Sequence, residues 1–96
     1  MTKRTKTGQK KHDTVVLKSA QWYQTHGFNV KADLPNFEKP KTIQGFIPDI
    51  IAKKGTKEIV KEIETKDSNK KDLKQQQAFK NYTNKGKGRK FIKKVI

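Results

Sequence analysis

The stretch FIPDIIAKKGTKEIVKEIET, which runs from Phe46 to Thr65, restricts the possible folds more than any other part of the chain. Two runs dense in β-branched residues, FIPDIIAK and EIVKEIET, are joined by KGT around Gly55. Runs of this kind on either side of a short glycine-containing turn are typical of a β-hairpin. The sequence therefore predicts two antiparallel strands in this region.

Two further elements are predicted before the hairpin. The run DTVVLKSAQWYQTHG has Val16, Ala20 and Tyr23 at helical spacing, with Asp13 as a candidate N-cap and Gly27 after the last turn. The run FNVKADL then alternates apolar and polar residues. This alternation indicates a strand with one buried face.

After the hairpin the sequence predicts a second helix and a last strand. The helix covers about residues 70–84, with Asp67 or Ser68 as its cap, and NKGKGRK ends it. The strand is KFIKKVI. A strand, helix, strand connection within one sheet makes its two strands parallel, whereas a hairpin makes them antiparallel. We therefore predict an α/β fold of order αβββαβ, with a mixed four-stranded sheet flanked by helices.

Charge is the strongest feature of the composition. The 96 residues include 24 Lys and Arg but only 9 Asp and Glu, which gives a net charge of +15. An excess of this size favours a polyanionic partner, and nucleic acid fits better than a membrane because no segment approaches the roughly 20 apolar residues of a spanning helix. A lysine-rich proteome would also explain the charge. Since the chain has no cysteine and opens on no signal-peptide pattern, we expect an intracellular, cytoplasmic protein.

The first residues differ in character from the rest. Residues 1–11 carry five positive charges and no acid, with almost nothing apolar. Such a segment cannot bury enough apolar surface to fold, so we predict a disordered basic tail at 1–11 and one domain at 12–96.

Three acids stand out on the predicted hairpin. Glu62 and Glu64 are two residues apart on one strand, so both point to the same face, roughly 6.5 to 7 Å apart. Asp49 lies on the neighbouring strand and converges on them if the strand middles align. Carboxylates held together need a positive partner, which is either a hard divalent cation such as Mg²⁺ or Mn²⁺ or a set of lysines. The lysines available for ordinary surface pairing are Lys53, Lys61 and Lys66.

The whole arrangement resembles the PD-(D/E)-x-K nuclease superfamily. PD in one strand is followed by EIE in the next, with a helix upstream and a helix and strand downstream, and the resemblance extends over nearly the whole chain from His12. The variant is the one with glutamate at the lysine position. The resemblance implies a minimal restriction-endonuclease-like core and metal-assisted hydrolysis of phosphodiester bonds, with Mg²⁺ or Mn²⁺ as cofactor and DNA as the expected partner.

Site residues follow from this resemblance. It makes Asp49 and Glu62 the metal-binding carboxylates, with the main-chain carbonyl of Ile63 beside them. Glu64 occupies the position of the lysine that orients the attacking water, where a glutamate can accept a proton or bind a second metal. Lys66, expected on the same face two residues on, is a candidate to replace that lysine, although a plain surface lysine is the alternative.

The supporting residues are more open. Many relatives carry an acid on the first helix, which makes Asp13, or His12 beside it, a candidate site residue. The alternatives are that Asp13 is the N-cap of the helix and that His12 faces solvent. Gln75 could contact a metal-bound water or a phosphate, or simply border a helix interface. Four aromatic side chains at helical spacing are expected in the core, with base stacking as the alternative: Trp22, Tyr23, Phe79 and Tyr82. The basic residues predicted to contact nucleic acid are Lys10, Lys11, Lys85, Lys87 and Arg89.

Two functions remain open at this point. The first is a Mg²⁺-dependent nuclease, with a preference for DNA structure such as junctions, flaps or ends rather than for sequence. The second is a non-catalytic nucleic-acid-binding module that keeps the fold, with Glu64 as the sign of lost chemistry. A homodimer is compatible with so small a core.

Overall fold

The protein is built on a four-stranded mixed sheet with helices on both faces. A computed structural model describes residues 6–96, with side chains from residue 9 onward. Its elements are, in chain order, α1 (Lys6–Thr25), β1 (Asn29–Ala32), β2 (Ile50–Lys54), β3 (Lys57–Glu64), α2 (Lys66–Lys71), α3 (Leu73–Asn84) and β4 (Arg89–Val95).

The strands lie side by side in chain order. β1 pairs with β2 and β2 with β3 in antiparallel fashion, whereas β3 and β4 are parallel. Lys54 is paired with Lys57, so only two residues form the turn of the central hairpin. The predicted mixed αβββαβ sheet is confirmed, with the second helix in two pieces.

Alternation along β2 and β3 divides the core between the two faces of the sheet. Ile50 and Ile63 point toward α1 and pack with Val16 of that helix. Ile51, next to Ile50, and Val60, three residues before Ile63, belong to the other cluster, which α3 closes with Phe79. Because successive strand residues point to opposite faces, each strand contributes to both cores.

The start of the first helix differs from the prediction. α1 begins at Lys6, so residues 6–11, expected in a disordered tail, are helical, and Asp13 lies inside the helix rather than at its N-cap. Residues 1–5 of the predicted tail lie outside the described residues. The physical reason is tertiary: His12 is buried, and its ring bonds to Asp49. The domain boundaries at 1–11 and 12–96 stay a prediction.

The second helix also begins earlier than predicted and is interrupted at Asp72. Thr65, not Asp67 or Ser68, caps α2. The Thr65 hydroxyl accepts from the Ser68 N–H at 3.0 Å, and the Ser68 hydroxyl accepts from the Thr65 N–H at 2.9 Å. This reciprocal capping box ends β3 and starts the helix within one residue.

The predicted aromatic core is confirmed in part. Tyr23 and Phe79 are buried and Tyr82 is half-buried, but Trp22 is 54% exposed, so its assignment to the core is wrong. Trp22 lies on α1 beside Tyr23, and only one of two adjacent helical residues can face the sheet squarely. Among residues 6–96, no helix has both the length and the apolar character needed to cross a bilayer.

Candidate active site

Asp49 and Glu62 are joined through the main chain. The Asp49 N–H donates to Glu62 Oε1 at 2.8 Å, and the Ile63 N–H donates to Asp49 Oδ2 at 2.9 Å. The register explains this arrangement, because Ile50 pairs with Lys61 and the next residue pair is therefore Asp49 and Glu62. Asp49 precedes β2, so at this position carboxylate oxygens rather than main-chain carbonyls accept the hydrogen bonds between the two chain segments.

Glu62 and Glu64 are both buried on the face of the sheet that α2 and α3 cover. Their exposed fractions are 1% and 0%. Glu62 Oε2 accepts a hydrogen bond from Gln75 Nε2 at 2.8 Å, and Glu64 Oε2 accepts one from the Ser68 hydroxyl at 2.5 Å. Glu64 Oε1 is buried without a hydrogen-bond partner. We refer to Asp49, Glu62 and Glu64 together as the acidic site.

Burial and the repulsion of neighbouring acids raise the pKa values of Glu62 and Glu64. Loss of hydration, together with the charges of Asp49 and Glu64, raises the pKa of Glu62 to about 10. Burial also raises the pKa of Glu64, against the Ser68 hydrogen bond, which acts to lower it. At neutral pH the site therefore holds a proton where a cation could sit.

Lysines do not neutralise the acidic site. Within the described side chains, no lysine or arginine forms an ion pair with Asp49, Glu62 or Glu64. Lys53 pairs with Glu58 at 3.9 Å and Lys61 lies over the Tyr23 ring. The expectation that Lys66 follows Glu64 on the same strand face is wrong, because the chain turns at Thr65 and Lys66 is an exposed residue of α2.

His12 connects the first helix to the acidic site. Its Nε2 lies 3.1 Å from Asp49 Oδ2 and its Nδ1 lies 3.1 Å from Asp13 Oδ1. With 4% of its surface exposed, His12 is not the solvent-facing histidine of the alternative interpretation. Asp13 does not cap the helix but accepts a hydrogen bond from Gln9. The structure thus places His12 against Asp49, and Asp13 against His12.

The chemistry of the donors fits a hard divalent cation. All three acidic groups offer oxygen, and the two Glu62 oxygens, with one hydrogen bond each, keep a second lone pair. The unpartnered Oε1 of Glu64 is a buried acceptor that a cation would satisfy. As they stand, however, the described side chains include no group of three or more His, Asp or Glu arranged to hold a metal ion.

Comparison with known proteins places the chain in a family. A family model described as REase_AHJR-like matches residues 3–92. The chain belongs to this restriction-endonuclease-like family. No curated protein and no solved structure matches it. Membership in the REase_AHJR-like family confirms the resemblance to the nuclease superfamily and agrees with the mixed αβββαβ sheet. It also indicates an enzyme of the nuclease type.

The predicted basic contacts lie at two ends of the REase_AHJR-like fold. Lys10 and Lys11 are exposed on α1 next to His12, close to the acidic site. Lys85 and Lys87 are exposed before β4, which begins opposite Glu58. Glu58 and Glu64 are about 20 Å apart along β3. The two groups of lysines therefore cannot serve the same phosphate.

Arg89 has a structural partner. Its Nε lies 3.2 Å from Glu58 Oε1, and its guanidinium lies 4.1 Å from the centroid of the Tyr82 ring. Tyr82 donates its hydroxyl proton to the same carboxylate at 2.9 Å, and Lys41 pairs with it at 3.6 Å. This network ties the loop before β2 to α3 and β4. Arg89 is thus engaged away from the acidic site, which the sequence did not reveal.

Sequence reasoning missed the role of Ser68. Its hydroxyl both completes the capping box with Thr65 and donates to Glu64. The Thr65-x-x-Ser68 spacing directly after the acidic strand is the signal that could have found it. A cavity of about 900 Å³ lies elsewhere, between α1 and the segment after β1, with Asp13 at its border.

Proposed function

We propose that this REase_AHJR-like protein is a nuclease that hydrolyses phosphodiester bonds of DNA with Mg²⁺ or Mn²⁺. One observation carries the proposal: two carboxylates, Glu62 and Glu64, are buried side by side next to Asp49 without a lysine or arginine partner among the described side chains. A fold gains no stability from such a pair. Perturbed carboxylates of this kind are typical of functional sites.

Asp49 and Glu62 are the proposed metal ligands. Their main-chain link keeps the two carboxylates on one side of the β2 end. The carbonyl of Ile63 is the proposed third oxygen. In a β-strand, the N–H and C=O of one residue point to the same side. Because the Ile63 N–H points to Asp49, just before β2, the Ile63 carbonyl points to that side as well. The next carbonyl, that of Glu64, points the other way and accepts from Ile96.

Glu64 is the proposed base or second metal ligand. Its Oε1 is available, while Ser68 holds Oε2. Lys66 has no part in the proposal, because its side chain is exposed on α2. A bound divalent cation would supply Lewis-acid polarisation of the phosphate and stabilisation of the leaving oxygen.

The neighbouring side chains position these groups. Gln75 holds Glu62 through Oε2, and His12 holds Asp49 through Oδ2. Lys10 and Lys11, exposed beside His12, would bind flanking phosphates and make affinity fall with salt. Phosphate contacts carry no base readout, so we propose a preference for DNA structure rather than for sequence. A homodimer would enlarge this phosphate-binding surface. Analytical ultracentrifugation tests whether the protein forms one.

The test is cleavage with matched variants. Plasmid, branched and single-stranded DNA, and RNA, are incubated with Mg²⁺ or Mn²⁺ and wild-type protein, Asp49→Asn, Glu64→Gln or the control Asp67→Asn. Asp67 is an exposed acid of α2 that pairs with Lys71. We expect cleavage of DNA that requires the metal, drops by roughly a hundredfold or more in both site variants, and persists in the control.

Two outcomes contradict the proposal. Cleavage that survives Asp49→Asn unchanged would place the chemistry elsewhere. Tight binding without cleavage on any substrate, with or without metal, would instead support the non-catalytic module.

A further inference from the structure

A cavity of about 550 Å³ lies on the face of the sheet opposite α3. Its walls include three lysines, Lys18, Lys61 and Lys94, and two aromatic side chains, Trp22 and Tyr23. We call these five residues the basic-aromatic groove. α1 packs over β1, β2 and β3, so the surface of β4 beside it is left open and forms the outer wall.

The lysines of the groove are not balanced by acids. Within the described side chains, none of Lys18, Lys61 and Lys94 forms an ion pair. Lys61 is half-buried, and its Nζ lies 5.4 Å from the centroid of the Tyr23 ring. Cations gathered around one cavity favour an anion between them.

Trp22 adds a stacking surface to the groove. One face of its indole is stacked on His26, with ring centroids 3.8 Å apart. The His26 ring is fixed in turn by a 2.7 Å contact between its Nδ1 and the Trp22 carbonyl. The Tyr23 ring lies perpendicular to the indole, with ring centroids 5.1 Å apart, and Trp22 is nevertheless 54% exposed. A supported aromatic ring that is largely exposed offers a surface on which a nucleic-acid base can stack.

α1 runs from the groove to the Asp49 end of the acidic site. Lys11, Val15, Lys18 and Trp22 recur at three- and four-residue spacing, so they form one stripe of the helix. The stripe is about 16 Å long. It starts next to His12, which contacts Asp49, and ends at Trp22. A strand bound along this stripe would pass from the Asp49 end of the acidic site into the groove.

We propose that the basic-aromatic groove binds a single-stranded segment of nucleic acid, with phosphates on Lys18, Lys61 and Lys94 and a base stacked on Trp22. A single strand is favoured over a duplex because only unpaired bases expose their faces to a side chain. The inference rests on the proposed function in taking nucleic acid as the partner. Binding can be measured without metal and therefore without cleavage, so failure of the groove and failure of the nuclease are distinguishable.

The experiment measures binding to a fluorescently labelled oligothymidylate in EDTA over a series of salt concentrations. The variants are Lys61→Gln with Lys94→Gln, Trp22→Ala, and a control pair, Lys74→Gln with Lys80→Gln. The control removes the same number of charges from exposed positions of α3. Anisotropy reports affinity. Trp22 is the single tryptophan of the chain, so its fluorescence reports stacking directly.

We expect the oligonucleotide to quench Trp22. In the groove pair, the slope of log K against log salt should become shallower by about 1.4. In the control pair the slope should change much less, because only the net charge of the protein is reduced. Trp22→Ala should lower affinity roughly 5- to 150-fold. A duplex of equal length should bind without quenching.

Any of three results would overturn the proposal: unchanged Trp22 fluorescence at saturation, equal salt slopes for the groove and control pairs, or equal quenching by the duplex. Circular dichroism checks the fold of each variant. If the groove pair does not fold, Lys18→Gln, an exposed change on α1, carries the same test with an expected slope change of about 0.7.

Discussion

The main-chain N–H of Asp49 donates to the carboxylate of Glu62 at 2.8 Å, across the end of the central hairpin. This bond lies in a buried site where the Glu62 carboxyl has a pKa of about 10. The contact that favours the charged form is therefore outweighed by burial and by the neighbouring acids. Asp49 and Glu62 are held together, and the remaining need for positive charge is what a divalent cation would meet.

The pH dependence of stability follows from Glu62. A carboxyl whose folded pKa lies above its unfolded value stabilises the fold at low pH, and this contribution is lost as pH rises from the unfolded value of 4.5 toward about 10. We expect the free energy of unfolding to fall in that window by up to about 1.4 kcal/mol per pH unit from this group. Urea unfolding in EDTA at several pH values measures it.

Glu62→Gln is the matched variant for that measurement. Its amide oxygen can still accept from the Asp49 N–H, but it cannot ionise. The variant should lose this part of the pH slope and be more stable than wild type near pH 8. A wild-type slope identical to that of the variant would contradict the raised pKa. Added Mg²⁺ should stabilise the wild type at high pH and leave the variant less affected.

Ser68→Ala should cost more stability than Thr65→Ala. Both changes remove the capping box of α2, which costs about 1 kcal/mol. Only Ser68 also donates to the buried Glu64, so its loss adds roughly 1 to 3 kcal/mol and raises the pKa of Glu64 further. Chemical denaturation of the two variants measures the difference. Equal costs would mean that the Ser68–Glu64 bond contributes nothing beyond the cap.

Gly88→Ala should be far more damaging than Gly55→Ala. Both glycines have positive φ, 75° and 58°, so alanine at either is strained by about 1 to 2 kcal/mol. A Cβ on Gly88 would lie 2.3 Å from the Thr56 carbonyl oxygen, whereas nothing lies within 4 Å at Gly55. We therefore expect about 3 kcal/mol or more at Gly88 from thermal or urea unfolding. Similar losses in both variants would show that the hairpin turn moves aside freely.

The strand pattern and the shared face of Glu62 and Glu64 were predictable because they depend on local periodicity, whereas the pairing of Asp49 with Glu62 depended on the register that the structure supplies. Two-residue alternation sets which face a strand residue takes, and a two-residue turn sets the register of its neighbour. The mixed sheet follows from the order of elements. The family relation was visible for the same reason, since PD and EIE lie on adjacent strands.

The features that the sequence did not predict depend on contacts between residues distant in the chain. No local sequence signal predicts that Arg89 pairs with Glu58 or that His12 is buried against Asp49. His12 lies on α1, which starts before its predicted cap. Trp22 and Tyr23 look equivalent in a helical pattern, yet packing buries one and leaves the other in a groove. Local preferences are small compared with the free energy of burial, so tertiary packing determined these features.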